Sequence, residues 1–303
     1  MDATRKMIVG ITSRNTLVIA GLLLVSIAVG EAHGQSDSSS LGRYVFESEP
    51  AAHWKLPGRL REVSGLTFTP DNRLLGHDDE KAIIYEIDYV AGELVKSWAF
   101  GYPTAQGDFE GITVADGRVF LITSTGRLYE GAEADDGDRV LYNIYELGLR
   151  QDHTSSLGHQ CEIEGLEFDP DDRTFLILCK TPLVEELGGY VTIFRWSLDQ
   201  KAVVEDATVM IPLDRFTSPL RERRFQPSGI ARDPLTGNYY LIAAQQAAIA
   251  EITPEGDVVA VAQLSDEFHK QAEGIAFAAD ATLIIGDEGG SKRARLTLYR
   301  PSR

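Results

Sequence analysis

A short pattern, [E/D/Q]-x-[E/S]-G-[L/I], recurs five times along this chain: Glu62–Leu66, Asp108–Ile112, Glu162–Leu166, Gln226–Ile230 and Gln271–Ile275. The glycines at 65, 111, 165, 229 and 274 stand 46, 54, 64 and 45 residues apart. A period in this range, with one β-rich unit per repeat, is the signature of a propeller blade. Each repeat runs in one order: the motif, an apolar strand, a turn rich in Asp, Pro, Asn or Gly, and a second apolar strand (Arg73–Gly76, Val119–Thr123, Thr174–Cys179, Tyr239–Ala243, Thr282–Gly286). Such turn residues tolerate the dihedrals of tight hairpins. Third strands with alternating polarity are predicted at 83–88, 140–147, 190–198, 249–253 and 295–299, and fourth strands at 93–100, 208–213 and 258–264, with a weak one between 148 and 160.

The fifth repeat ends at Arg303 without a fourth strand, and Tyr44–Pro57 resembles the missing one. A chain start that completes the last blade closes the ring and leaves no free edge there. The expected fold is therefore all-β, a five-bladed propeller closed by an N-terminal strand, in preference to six blades. Two stretches, Gly126–Asp138 and Phe216–Phe225, read as insertions, and no helical segment is expected after residue 40. The second insertion holds the chain's one concentrated basic patch, Arg221–Arg224, expected to pair with acidic surface or, as an alternative, to capture a partner.

Ahead of the propeller, Arg5, Lys6 and Arg14 precede an apolar run, Leu17–Val29, and Ala32-His33-Gly34 follows. Basic, apolar and small-x-small in that order read as a signal peptide over residues 1–34, followed by a disordered spacer over 35–43. The protein is thus expected in the periplasm or outside the cell, with an inner-membrane anchor formed by residues 16–30 as the alternative. Cys161 and Cys179 lie 18 residues apart. An oxidising compartment permits their pairing, and two buried thiols fit the spacing equally well. The formal net charge of −17 repels nucleic acid and favours cations.

In a propeller the residues entering the first strand of each blade and those leaving the second gather on one face. The inner set is Glu62, Ser64, Asp108, Glu110, Glu162, Glu164, Gln226, Ser228, Gln271 and Glu273. Positions two apart in extended chain share a side, so each repeat's pair is expected to act together. The outer set is His77, Asp78, Asp79 and Glu80, then Ser124 and Thr125, Lys180 and Thr181, Gln245 and Gln246, and Asp287 and Glu288. Glu110, Glu164 and Glu273 on one channel mouth repel each other unless one takes a proton or a cation sits among them. A hard, all-oxygen cluster favours calcium, and these three are the expected metal ligands. Glu62, Ser64, Asp108, Glu162, Ser228, Asp78, Asp79, Asp287 and Glu288 are the expected ligand-binding residues. The opposing possibility is that the carboxylates only accept hydrogen bonds that hold the ring together.

At these repeats the chain resembles the SdiA-regulated family of exported bacterial propellers, also called YjiK-like. The resemblance rests on Glu62–Leu66, Phe109–Ile112, Ile163–Leu166 leading into Phe175–Lys180, Pro227–Ile230 and above all Gln271–Ile275. It implies a propeller in the periplasm or held at the inner membrane, and brings no established reaction. The family tends to end most second strands in an acid; here only blades 1 and 5 do, while blades 2, 3 and 4 offer Ser124-Thr125, Lys180 and Gln245-Gln246. The expected function is a monomeric binding propeller that takes calcium, a small ligand or both at the channel mouth. The alternative is a calcium-dependent hydrolase of the esterase, lactonase or phytase kind, with His77, Asp79 or Glu288 as base, its metal polarising the substrate.

Overall fold

The computed structural model describes residues 39–148 and 157–302. Five sheets succeed one another in chain order, antiparallel but for one added strand in blade 1. The inner strands are Val63–Phe68, Phe109–Ala115, Cys161–Asp169, Gly229–Arg232 and Ala272–Phe277. In blade 5 the outermost strand is Ala52–Lys55, paired antiparallel with Arg295–Tyr299 in the register Ala52↔Leu298 to Lys55↔Arg295. Ring closure by the N-terminal strand is as expected. Between blades the core is a series of apolar layers; in that between blades 2 and 3, Phe120 packs on Phe175, which stacks on Trp196 at 5.6 Å.

Ser39 to Arg43, read from sequence as part of a spacer, are packed onto blade 4. The fully buried Glu251 carboxylate accepts hydrogen bonds from Ser39 Oγ (2.8 Å), Ser40 Oγ (2.7 Å) and Leu41 N (2.8 Å), as well as from Asn238 Nδ2 (2.7 Å). Tyr44 donates to the Ala281 carbonyl at 2.7 Å. Burial pushes Glu251 up, but these donors more than offset it and leave its pKa below the usual value. Starting the chain at residue 45 instead of 39 strips most of the donors from a buried charge, and should cost about 3 kcal/mol in urea unfolding.

Blade 2 departs from the sequence reading. Its third strand is Arg127–Ala132, inside the supposed insertion, and Tyr142–Glu146 is the fourth strand, not the third. Gly131 and the acidic run after it obscured the strand. That glycine is needed because Phe100 of blade 1 lies where its Cβ would be, 2.2 Å from the ring. Residues 133–140 then reach across to blade 1, where Arg139–Val140 add a parallel strand outside Glu93–Phe100. Glu133 receives Arg73 through both oxygens (2.6 and 2.9 Å) and Lys96 at 2.7 Å, while the Ser97 amide donates to Asp136. The second insertion also differs. Asp214–Leu220 is a short helix, and Phe216 stacks on Phe225 at 4.7 Å. Arg221, Arg223 and Arg224 are exposed and form no ion pair among the described residues, contrary to the expected acidic pairing.

Cys161 and Cys179, on adjacent strands of blade 3, form a disulfide. Among the described residues no helix is long and apolar enough to cross a membrane; residues 1–34, with the expected signal or anchor, lie outside the described ones.

Candidate functional site

The repeated motif does three things at the ring axis. First, its glycine lets neighbouring inner strands touch. A Cβ on Gly111 would lie 2.6 Å from the Leu166 amide nitrogen, one on Gly229 2.6 Å from the Glu273 carbonyl, and one on Gly274 2.7 Å from Leu66 Cγ. Second, the Leu or Ile that follows is buried: Leu66, Ile112, Leu166, Ile230 and Ile275 meet at the axis and leave a void of only ≈ 10 Å³. The channel is therefore plugged below its mouth. This plug went unassigned in the sequence reading, although the recurrence of Leu or Ile at that position in all five repeats signalled it.

Third, the residue before the glycine sits in a bulge. In blades 2, 3 and 5 the pairing of first and second strands slips at this point, as between Phe109↔Thr123 and Gly111↔Ile122, and blade 1 slips between Val63↔Asp78 and Leu66↔Gly76. A bulge re-aims a side chain and breaks the alternation that would put positions two apart on one side. Asp108 and Glu162 accordingly stay exposed at the rim, while Glu164 is 3 % exposed and Glu110 and Glu273 are partly buried. In blade 5 the pair meets, Gln271 Nε2 donating to Glu273 at 3.1 Å, while in blades 2 and 3 the first member stays exposed at the rim.

Glu110, Glu164 and Glu273 thus face one another close enough to interact electrostatically. Lys180, the residue standing where the family tends to place an acid, brings its Nζ to 2.5 Å from Glu164 Oε1. The protein supplies its own cation at that carboxylate. Glu164 Oε2 is buried without a partner. Burial, then repulsion from Glu164, pushes Glu110 up to about 9. Burial pushes Glu164 up to about 7 against the pull of Lys180, and it raises Glu273 as well.

A second acidic group lies where blades 1 and 5 meet. Ligand oxygens of Glu62, Asp79 and Glu288 fall within 4.8 Å of one another. Backbone hydrogen bonds build this cluster: the Asp79 amide donates to the Glu62 carbonyl (3.2 Å), Gly289 N to Arg61 O (2.9 Å), and Glu288 N to Gln271 O (3.0 Å). Asp79 Oδ1 is buried and unpartnered. Burial, then the nearby Glu62, lifts Asp79 to about 6; burial, then Glu273, lifts Glu288 to about 8. Arg61 donates to Glu62 at 2.5 Å from the exposed side. Gln271 Nε2 donates to both Glu288 (2.5 Å) and Glu273 (3.1 Å), so one amide joins the two acidic groups.

Other expected site residues hydrogen-bond within the frame or are buried in it. Asp78 accepts from the Lys81 amide (2.9 Å) and from Tyr85 Oη (3.3 Å) in its own turn. Asp287 is buried and accepts from the Gln271 amide at 3.0 Å, beside His269 Nδ1 at 2.8 Å. Ser228 Oγ donates to the Ala272 carbonyl (2.7 Å) and accepts from the Ala244 amide (3.0 Å), tying blade 4 to blade 5. Ser64 is buried in its bulge. His77, considered as a base, is fully buried under Gly65, and burial drives its pKa down to about 4.

Five blades around a plugged axis, with ionisable side chains at one mouth, define a five-bladed β-propeller. The chain belongs to the SdiA-regulated family, whose model matches residues 51–289. No curated protein matches. Among solved structures it is similar to the glutaminyl cyclase of Myxococcus xanthus (14% identity over 84% of this chain and 96% of that one, TM-score 0.56). It is also similar to a streptogramin B lyase (12% identity, 82% and 97% coverage, TM-score 0.48). At these identities the likeness is one of fold.

Proposed function

We propose that this protein is an exported binding propeller that holds a hard divalent cation, calcium first, among Glu62, Asp79 and Glu288. The observation that carries this is the convergence of three carboxylates on a backbone-built frame, one oxygen of which is buried with no partner. An all-oxygen donor set of net negative charge suits calcium, which takes carboxylate and carbonyl ligands and waters. The axial trio is the weaker home for the metal, because Lys180 already sits on Glu164. The disulfide supports export, since such bonds persist in oxidising compartments.

Calorimetric titration with calcium should give saturable binding that is lost in Glu62→Gln and in Glu288→Gln and retained in Glu110→Gln. Loss in Glu110→Gln with retention in the other two would move the metal to the axis. No binding in any form would leave the acids a structural ring. The pH dependence has a definite sign. Asp79 and Glu288 hold protons up to about pH 6 and 8, and a metal must displace them, so calcium affinity should rise from pH 5.5 to 8.5 with proton release.

A further inference from the structure

Beside the acidic cluster, between the inner strands of blades 3, 4 and 5, lies a cleft of ≈ 380 Å³. That volume suits a metabolite-sized ligand, and the apolar plug beneath stops anything larger than a water from passing down the axis. Its lining carries both signs: Glu273, which also lines the axial void, Glu164 and Lys180 make up one part, and Lys270 another, exposed and without an ion pair among the described residues. Gln226, Gln245 and Gln271 supply amide donors and acceptors.

Three carboxyls (Glu110, Glu164, Glu273) share the single ammonium of Lys180, and that ammonium is committed to Oε1 of Glu164. Glu164 is 3 % exposed, and its other oxygen has no donor at all. A buried acceptor in this state is costly unless a ligand supplies the hydrogen bond. A second hard ion there would sit against Lys180 and need several dehydrated oxygens. An ammonium carries half the charge and can satisfy one lone oxygen through a directed N–H. Lys270 can pair only with an anion.

We propose that this cleft binds a small zwitterion, with its ammonium directed at Glu164 and Glu273 and its carboxylate at Lys270. It is a site for an organic ligand, separate from the cation site of blades 1 and 5, and Gln271 touches both.

The test uses ω-amino acids of increasing length, from glycine to 6-aminohexanoate, against the matching n-alkylamines and carboxylates. Binding is followed by calorimetry in EDTA, so that failure of the calcium site leaves the result intact. At least one zwitterion should bind about ten-fold tighter than the amine or carboxylate of its length, the effect of one added charge-assisted contact. Lys270→Met, at an exposed position, should erase the advantage over the amine, and Glu273→Gln that over the carboxylate. Unchanged melting of Lys270→Met guards against a folding artefact. Equal binding of amine and zwitterion, or an advantage that survives Lys270→Met, would overturn the proposal, as would no saturable binding of any probe.

Discussion

Gly111→Ala should be among the most damaging single-methyl additions in this protein, lowering its stability by about 3 kcal/mol and its melting temperature by about 10 °C. The motif glycines are absent from the positive-φ positions, so the backbone conformation there is open to any residue. The demand is steric. The added Cβ would meet the Leu166 amide nitrogen at 2.6 Å, Leu166 Cβ at 2.9 Å and the Gly165 carbonyl carbon at 3.0 Å. Two of these three are backbone atoms of a strand held on its far side by its own blade, so neither can swing aside as a flexible side chain would. Relief requires blades 2 and 3 to part at the axis, where Ile112 and Leu166 form the plug. Gly58→Ala is the matched control. Its Cβ would meet nothing within 4 Å, and its melting temperature should stay within about 2 °C of the parent. Equal melting of the two variants would show that the ring tolerates separation at its centre, and the close-approach account of the repeat would then fail.

The second large effect concerns the built-in cation. Lys180→Met leaves the Glu164 carboxylate, 4 % exposed in its side chain, without the ammonium at 2.5 Å. Breaking a buried pair from one side costs about 3 kcal/mol or more because a lone charge stays behind. The loss should depend on pH with a fixed sign. The folded pKa of Glu164 already lies above that of an unfolded glutamate, at about 7, and removing Lys180 raises it further. A folded state that binds more protons than the unfolded one loses stability as pH rises. The variant should therefore approach the parent near pH 5, where Glu164 is protonated, and fall furthest behind it near pH 8. Urea unfolding at both pH values, beside the double variant Lys180→Met/Glu164→Gln, checks this. The double variant should recover most of the loss at pH 8. A deficit that is the same at both pH values would mean that Lys180 contributes packing and not charge.

Much of this site was legible before any fold was drawn. The spacing of Gly65, Gly111, Gly165, Gly229 and Gly274 set the number of blades, and the likeness of Tyr44–Pro57 to the other fourth strands anticipated the N-terminal strand that pairs with Arg295–Tyr299. The acids of the motif marked the face on which the carboxylates gather. What failed did so locally. Strand Arg127–Ala132 was hidden because its Gly131 answers to Phe100, a residue about 30 positions earlier in another blade. The helix Asp214–Leu220 is only seven residues long and contains Pro219, so it carries no periodic signal. The bulges ahead of Gly111 and Gly165 were not legible because a bulge exists only in the register of two strands, not in the sequence of one.

Sequence alone determined the architecture and the face that bears the charge, because both follow from repetition: equal segments must make equal blades, and equal blades bring equal positions to one axis. Which carboxylates meet was decided only by the tertiary structure. Glu62, Asp79 and Glu288 come from two blades at opposite ends of the chain and are gathered by ring closure. Lys180 comes to neutralise Glu164 through a bulge and a neighbouring strand. Contacts between distant segments depend on register and on the closing of the ring, and no local pattern encodes either.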